Sequence, residues 1–180
     1  MSHPTDKAAL ALLTPSQTIG PFSHEAWRWA LEATTEQVAT GVGIRIHGVI
    51  CDGECLPIND AVLEAWLPQA AALEAGNWLP GFRRVASDDL GQFHFDVPAG
   101  MASAGGEPIM YVTVFARGLV QHQFTAVFLG DDAGLATSAL LDQVPAARRA
   151  TLIAQKESDG RYRWDIWLQT ARETVFFDYC

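Results

Sequence analysis

Apolar and polar side chains alternate from the start of residues 43–51, with Ile44 and Ile46 on one face and Arg45 and His47 on the other. That period of two marks a strand with one face buried. Residues 92–97 alternate throughout and put Phe93, Phe95 and Val97 together; residues 161–168 do the same with Tyr162, Trp164, Ile166 and Leu168. Residues 61–67, 111–116 and 124–129 are apolar runs of strand length, and residues 175–177 close the chain in the same way. Turn signals separate the runs: Asp52-Gly53, Ile58-Asn59-Asp60, Asp89-Leu90-Gly91, Pro98-Ala99-Gly100, Asp131-Asp132 and Ser158-Asp159-Gly160. About seven or more short strands at this spacing predict an all-β fold, a β-sandwich. One short helix is expected over about residues 145–153, with Pro145 at its first position and Arg148 and Arg149 facing water. Residues 70–75 suit a second helical piece, and residues 101–106 read as a loop. Residues 1–40 are irregular, punctuated by Pro4, Pro15 and Pro21, with a helical turn expected over residues 25–31. The reading is therefore an N-terminal arm, 1–40, followed by one sandwich domain, 41–180.

Composition narrows the partners. Hydrophobic residues make up 49% of the 180 and charged residues 18%, a globular balance. Six Trp and nine Phe are generous, and each aromatic ring can remove about 150–250 Å² from water, enough for a large core or an interface. The formal charge of −9, with no basic run longer than Arg83-Arg84, repels nucleic acid and anionic lipid. Residues 8–13 are apolar but shorter than a secretory core and lack a cleavage site after them. No apolar run reaches the ~18 residues of a membrane span. A cytoplasmic protein is expected, and three Cys, an odd number, fit a reducing compartment. Cys51 and Cys55 flank a turn, with no second Cys/His pair at zinc-site spacing, so two free thiols are expected there. His47, His94 and His122 sit on or beside strands far apart in sequence, where a hydrogen-bonded or solvent-facing role outweighs metal binding.

Several stretches in order resemble the intradiol ring-cleavage dioxygenases, and among them the alpha type of chain found in two-subunit members. They are Thr14-Pro15-Ser16-Gln17-Thr18-Ile19-Gly20-Pro21-Phe22, then Ile46-His47-Gly48-Val49-Ile50-Cys51-Asp52-Gly53, then Val62-Leu63-Glu64-Ala65-Trp66. Gly91-Gln92-Phe93-His94-Phe95, Val114-Phe115-Ala116-Arg117-Gly118-Leu119, Arg161-Tyr162-Arg163-Trp164-Asp165-Ile166 and Glu173-Thr174-Val175-Phe176-Phe177-Asp178 complete it, so the resemblance spans about residues 14–179. It implies an enzyme that opens a catechol, protocatechuate in this branch, with O₂ to give 3-carboxy-cis,cis-muconate. The implied cofactor is a non-haem Fe(III) held by two Tyr and two His, because hard tyrosinate oxygens favour the ferric ion.

The same resemblance places that iron elsewhere. The family's His-x-His follows a Pro-containing loop, and its counterparts here, with about one residue of slack, are Ile109 and Tyr111. No Tyr lies between Trp66 and Arg84, nor in residues 100–107, where the two phenolates belong. The chain is thus expected to bind no catalytic iron and to have no catalytic residue of its own, the Fe(III) being held by a catalytic beta subunit. The resemblance implies that the arm contacts that partner and that Thr18, Gly20 and Pro21 form part of the wall of its substrate pocket. Gly allows close backbone approach and Pro stiffens the loop against a flat ring. One departure concerns the substrate: related alpha chains carry Arg where this sequence has Ala126, and Ala cannot attract a carboxylated catechol. Arg84 and Arg117 are expected to pair with acids. The alternative reading is a stand-alone β-sandwich that binds a ligand or protein without catalysis.

Overall fold

In a computed structural model, which describes residues 42–76, 79–101 and 105–178, the regular structure of the chain is mostly strand, with short helical turns. In chain order they are β1 (Val42–Cys51), β2 (Val62–Trp66), α1 (Ala70–Leu73), β3 (Phe82–Ala86), β4 (Gln92–Pro98), β5 (Met110–Phe115) and β6 (Gln123–Leu129). There follow α2 (Ala139–Asp142), β7 (Ile153–Ser158), β8 (Arg161–Arg163) and β9 (Ile166–Trp167), with 3₁₀ turns at Leu135–Thr137 and Arg149–Leu152. The hydrogen-bonded order is β3-β2-β5-β6-β7-β8-β1-β4, with β9 also paired to β1. β6 and β7 touch through a short parallel pairing, Phe128 with Ile153 and Leu129 with Ala154. This narrow joint lets the two halves fold face to face as a sandwich.

The alternating positions account for the core. Ile44 and Ile46 of β1, Phe93, Phe95 and Val97 of β4, Leu63 and Ala65 of β2, and Val112 and Val114 of β5 all enter one buried cluster. Tyr162, Trp164, Ile166 and Leu168 join it together, as their spacing predicts. Their strand is nevertheless broken in two. The Asp165 carboxylate takes the Val49 amide at 3.1 Å, and the Trp164 amide donates to the His47 carbonyl at 2.8 Å. A side chain thus stands where a ladder carbonyl would, and β8 ends before β9 begins.

The helix expected over 145–153 is corrected. Arg148 bonds back to the Pro145 carbonyl, and residues Arg149–Leu152 form a 3₁₀ turn with no side-chain cap at its start. Both arginines are half-buried and serve carbonyls, Arg148 Nη2 reaching Glu173 O at 2.7 Å and Arg149 Nε reaching Val144 O at 2.9 Å. The α-helical turn of this region lies earlier, at α2, where Ser138 Oγ accepts from the Leu141 amide at 3.3 Å. Residues 175–177 contribute an isolated bridge between Phe177 and Phe124 rather than a strand. No helix among the described residues is long and apolar enough to cross a membrane.

Candidate functional site

Register carries one row of side chains across the outer face of the β3-β2-β5-β6 half. Phe82 pairs with Trp66, Trp66 with Tyr111, and Tyr111 with Ala126. Cross-strand neighbours on one face sit within about 5 Å, so these four form a continuous band. The Trp66 and Phe82 rings meet at 4.8 Å with planes tilted by 54°, and Trp66 keeps 47% of its surface exposed. Tyr111 is half-buried and packs against the second apolar cluster, formed by Ala126, Phe128, Leu141, Val144 and Leu152. The next row holds Arg84 and Glu64, joined at 2.8 Å, with Thr113 and Phe124 beyond. His122 stacks edge-on to Phe124 at 4.7 Å and lies 5.5 Å from Phe115.

This is where the sequence puts the counterparts of the metal ligands. Ile109 is 1% exposed inside the main core, its amide donating to Val127 O at 2.8 Å, whereas Tyr111 belongs to the opposite, outer face. The two are therefore not presented to one point in space. The row offers a single phenol beside an indole, a phenyl ring and a methyl group. Among the described residues these side chains do not fit a ferric ion, which takes anionic oxygens and imidazoles. No three His, Cys, Asp or Glu side chains come together at metal-binding distance among the described residues. Thr18, Gly20 and Pro21 lie outside the described residues.

The segment that leads to the row is pinned from beneath. Glu74 receives Arg83 as a buried ion pair and takes the Gly81 amide at 2.8 Å, while Arg83 also donates to the carbonyls of Phe82 at 2.8 Å and Asp96 at 3.2 Å. Burial pushes the Glu74 carboxyl up, but the bonds from Arg83 and the Gly81 amide prevail and hold it below the usual carboxylate value. Sequence reasoning missed this pair. Its signal was Arg83 itself, a cation flanked by Phe82 and Arg84 on a strand whose inward positions are otherwise apolar. Arg117 meets Asp60 at 3.0 Å, so Arg84 and Arg117 both pair with acids. Cys55 holds the expected turn at φ +64°, with the Asp52 carboxylate accepting two amides at 2.9 Å. Cys51 and Cys55 are free, and burial, with Asp165 nearby, pushes the Cys51 thiol up.

Comparison with known proteins adds the following. The chain is 34% identical over 190 aligned positions to the protocatechuate 3,4-dioxygenase alpha chain of Burkholderia cepacia, covering 92% of this chain and 96% of that one. The protocatechuate 3,4-dioxygenase alpha chain of Pseudomonas putida is 34% identical over 195 positions with the same coverage. Among solved structures, the dioxygenase domain of a dioxygenase–carbohydrate-binding protein fusion from Streptomyces sp. SirexAA-E superposes with a TM-score of 0.50 at 20% identity. The superposition covers 74% of this chain and 84% of that one, which speaks for the sandwich fold alone. No family model matches.

Proposed function

We propose a role that proceeds from one premise: the chain belongs to the protocatechuate 3,4-dioxygenase alpha-chain family. It is a subunit of an intradiol aromatic-ring dioxygenase, a family that uses non-haem Fe(III). Within that assembly the chain itself is non-catalytic. A beta subunit holds the iron, the arm formed by residues 1–40 contacts that subunit, and Thr18, Gly20 and Pro21 line one side of the catechol pocket. The observation that carries this reading is the split placement of Ile109 and Tyr111. One is hydrocarbon sealed in the core and the other a phenol on the outer face, with Trp66 and Ala126 as its neighbours. The substrate is a catechol bearing a carboxylate. Ala126 is fully buried in an apolar cluster and supplies no cation, so the carboxylate contact falls to the partner.

Co-expression with a candidate beta chain tests this. The chain purified alone should contain no stoichiometric iron and lack tyrosinate-to-iron absorption, whereas the co-purified pair should be coloured and consume O₂ with protocatechuate. Iron bound one-to-one by the lone chain would overturn the reading. A soluble monomer that captures no beta chain would favour a stand-alone binding module instead. For the arm, Gly20→Val should lower kcat/KM of the pair by about tenfold, the scale of one lost well-placed contact, with co-purification unchanged. Collapse of assembly with unaltered turnover per complex would make the loop purely structural.

A further inference from the structure

The other half of the sandwich carries different chemistry on its outer face. Across β4, β1 and β8, His94 lies opposite His47, and Arg45 lies opposite both Asp96 and Arg161. Arg45 grips the Asp96 carboxylate with two bonds, at 2.7 and 2.9 Å. Arg161 has no such partner among the described residues; its recorded contact there is Nη2 to His47 Nε2 at 3.4 Å. That nitrogen also lies 2.8 Å from Glu157 Oε2. An ionised carboxylate only accepts, so the ring must donate its proton to Glu157, and an arginine N–H approaching the same nitrogen finds no lone pair. Among the described residues, Arg161 is an exposed fork of donors without an acceptor.

These side chains line a cleft of about 510 Å³ at the β3 edge, in a chain whose formal charge is −9. Arg45, His47, His94 and Arg161 give one side its donors; the other is formed by Val85 and Ala86, which are apolar, and by Arg84, already joined to Glu64. Asp88 at the rim is held by the Leu90 and Gln92 amides at 2.9 and 2.8 Å, which fixes its carboxylate in a turn. Planar guanidinium forks match carboxylates in two-point geometry, and an apolar wall favours a flat hydrocarbon body over a compact hydrated ion. We infer that this cleft is a binding site for small organic carboxylates of aromatic or unsaturated type, with Arg161 as the anchoring cation.

Equilibrium dialysis of labelled benzoate against the purified assembly tests this, comparing wild type with Arg161→Met. Arg161 lies at the surface, so the variant should fold and turn over substrate as before. Benzoate binding at any pocket shared with the partner is then common to both proteins. The variant should lose one equivalent of bound label per chain, or hold it about tenfold more weakly, the effect of removing one charge-assisted contact. His94→Gln should weaken the same equivalent by less. Identical stoichiometry and affinity in wild type and Arg161→Met would overturn the inference. So would displacement of that equivalent by inorganic phosphate as readily as by unlabelled benzoate, since the cleft would then read charge alone.

Discussion

Glu74→Gln is expected to lower the unfolding free energy by about 3–5 kcal/mol, the range for breaking a buried ion pair from one side. The Glu74 side chain is fully buried and Arg83 is 5% exposed, so neither charge has water to fall back on. Gln is nearly isosteric and its one oxygen can still accept the Gly81 amide, but its NH2 then stands where the other oxygen accepted from Arg83 Nη2, so the charge and that hydrogen bond are lost together. The Arg83 guanidinium would be left in the interior with two backbone carbonyls and a neutral amide. For a domain whose whole stability is about 5–15 kcal/mol, that is a large share. Urea midpoints followed by circular dichroism measure it, and a loss below about 1 kcal/mol, as for a solvent-exposed pair, would refute the account. The double variant Glu74→Gln/Arg83→Met should recover part of the loss, because no unpaired charge is then buried.

The pH dependence follows with a definite sign. Glu74 titrates lower when folded than when unfolded, so its contribution is complete above the unfolded carboxyl range and disappears as pH falls through the lower folded value. Wild type should therefore lose stability more steeply on the acid side than Glu74→Gln. Parallel acid limbs in the two proteins would show that the pair gains nothing from ionisation.

What could be read from the chain beforehand divides along physical lines. Period-two alternation was enough for β1, β4 and the Tyr162-Trp164-Ile166-Leu168 face, because a strand with one buried face announces itself by chemistry alone. β7 went unseen because Gln155, Lys156, Glu157 and Ser158 are all exposed, and its pairing with β6 and β8, not any apolar stripe, makes it a strand. The helix expected over 145–153 failed for a related reason. Arg148 and Arg149 look like solvent-facing helix residues in isolation, yet they satisfy the Glu173 and Val144 carbonyls, partners that only the tertiary fold brings near. At the candidate site, the residue types at 109 and 111 could be read from the sequence, whereas the opposite faces taken by Ile109 and Tyr111 could not. Adjacent parity in a strand would have put them on one side, and the irregular entry into β5, where Ile109 and Met110 both turn inward, separates them. Nor could spacing show the cationic cleft, whose members come from β1, β3, β4 and β8, up to 116 residues apart between Arg45 and Arg161.

The junction of β8 and β9 against β1 supports a second large effect, at Gly48. A Cβ built there would lie 1.8 Å from the Trp164 carbonyl oxygen and 2.6 Å from its carbon. Both are backbone atoms and cannot swing aside like the end of a long side chain. Gly48 does not carry a positive φ, so the obstacle is the close approach of two chains rather than dihedral strain. The approach has a cause: β1 runs parallel to β8 through Arg45–His47 and to β9 through Ile50 and Cys51, and the break between the two partners falls beside Gly48. A methyl group must push Trp164 outward, which strains the Trp164 amide bond to His47 and the indole bond to the Thr151 carbonyl at 3.0 Å. It also disturbs the edge-on contact of Trp164 with Phe93 at 6.0 Å in the core. Gly48→Ala should therefore destabilise by about 3 kcal/mol or more, the upper end for overpacking. Gly76→Ala is the matched control, since nothing lies within 4 Å of a Cβ there, and it should change stability by less than about 0.5 kcal/mol. Equal urea midpoints for the two variants would mean that the β1–Trp164 contact yields freely, and the tight seam would then not be what holds β8 and β9 to the sandwich.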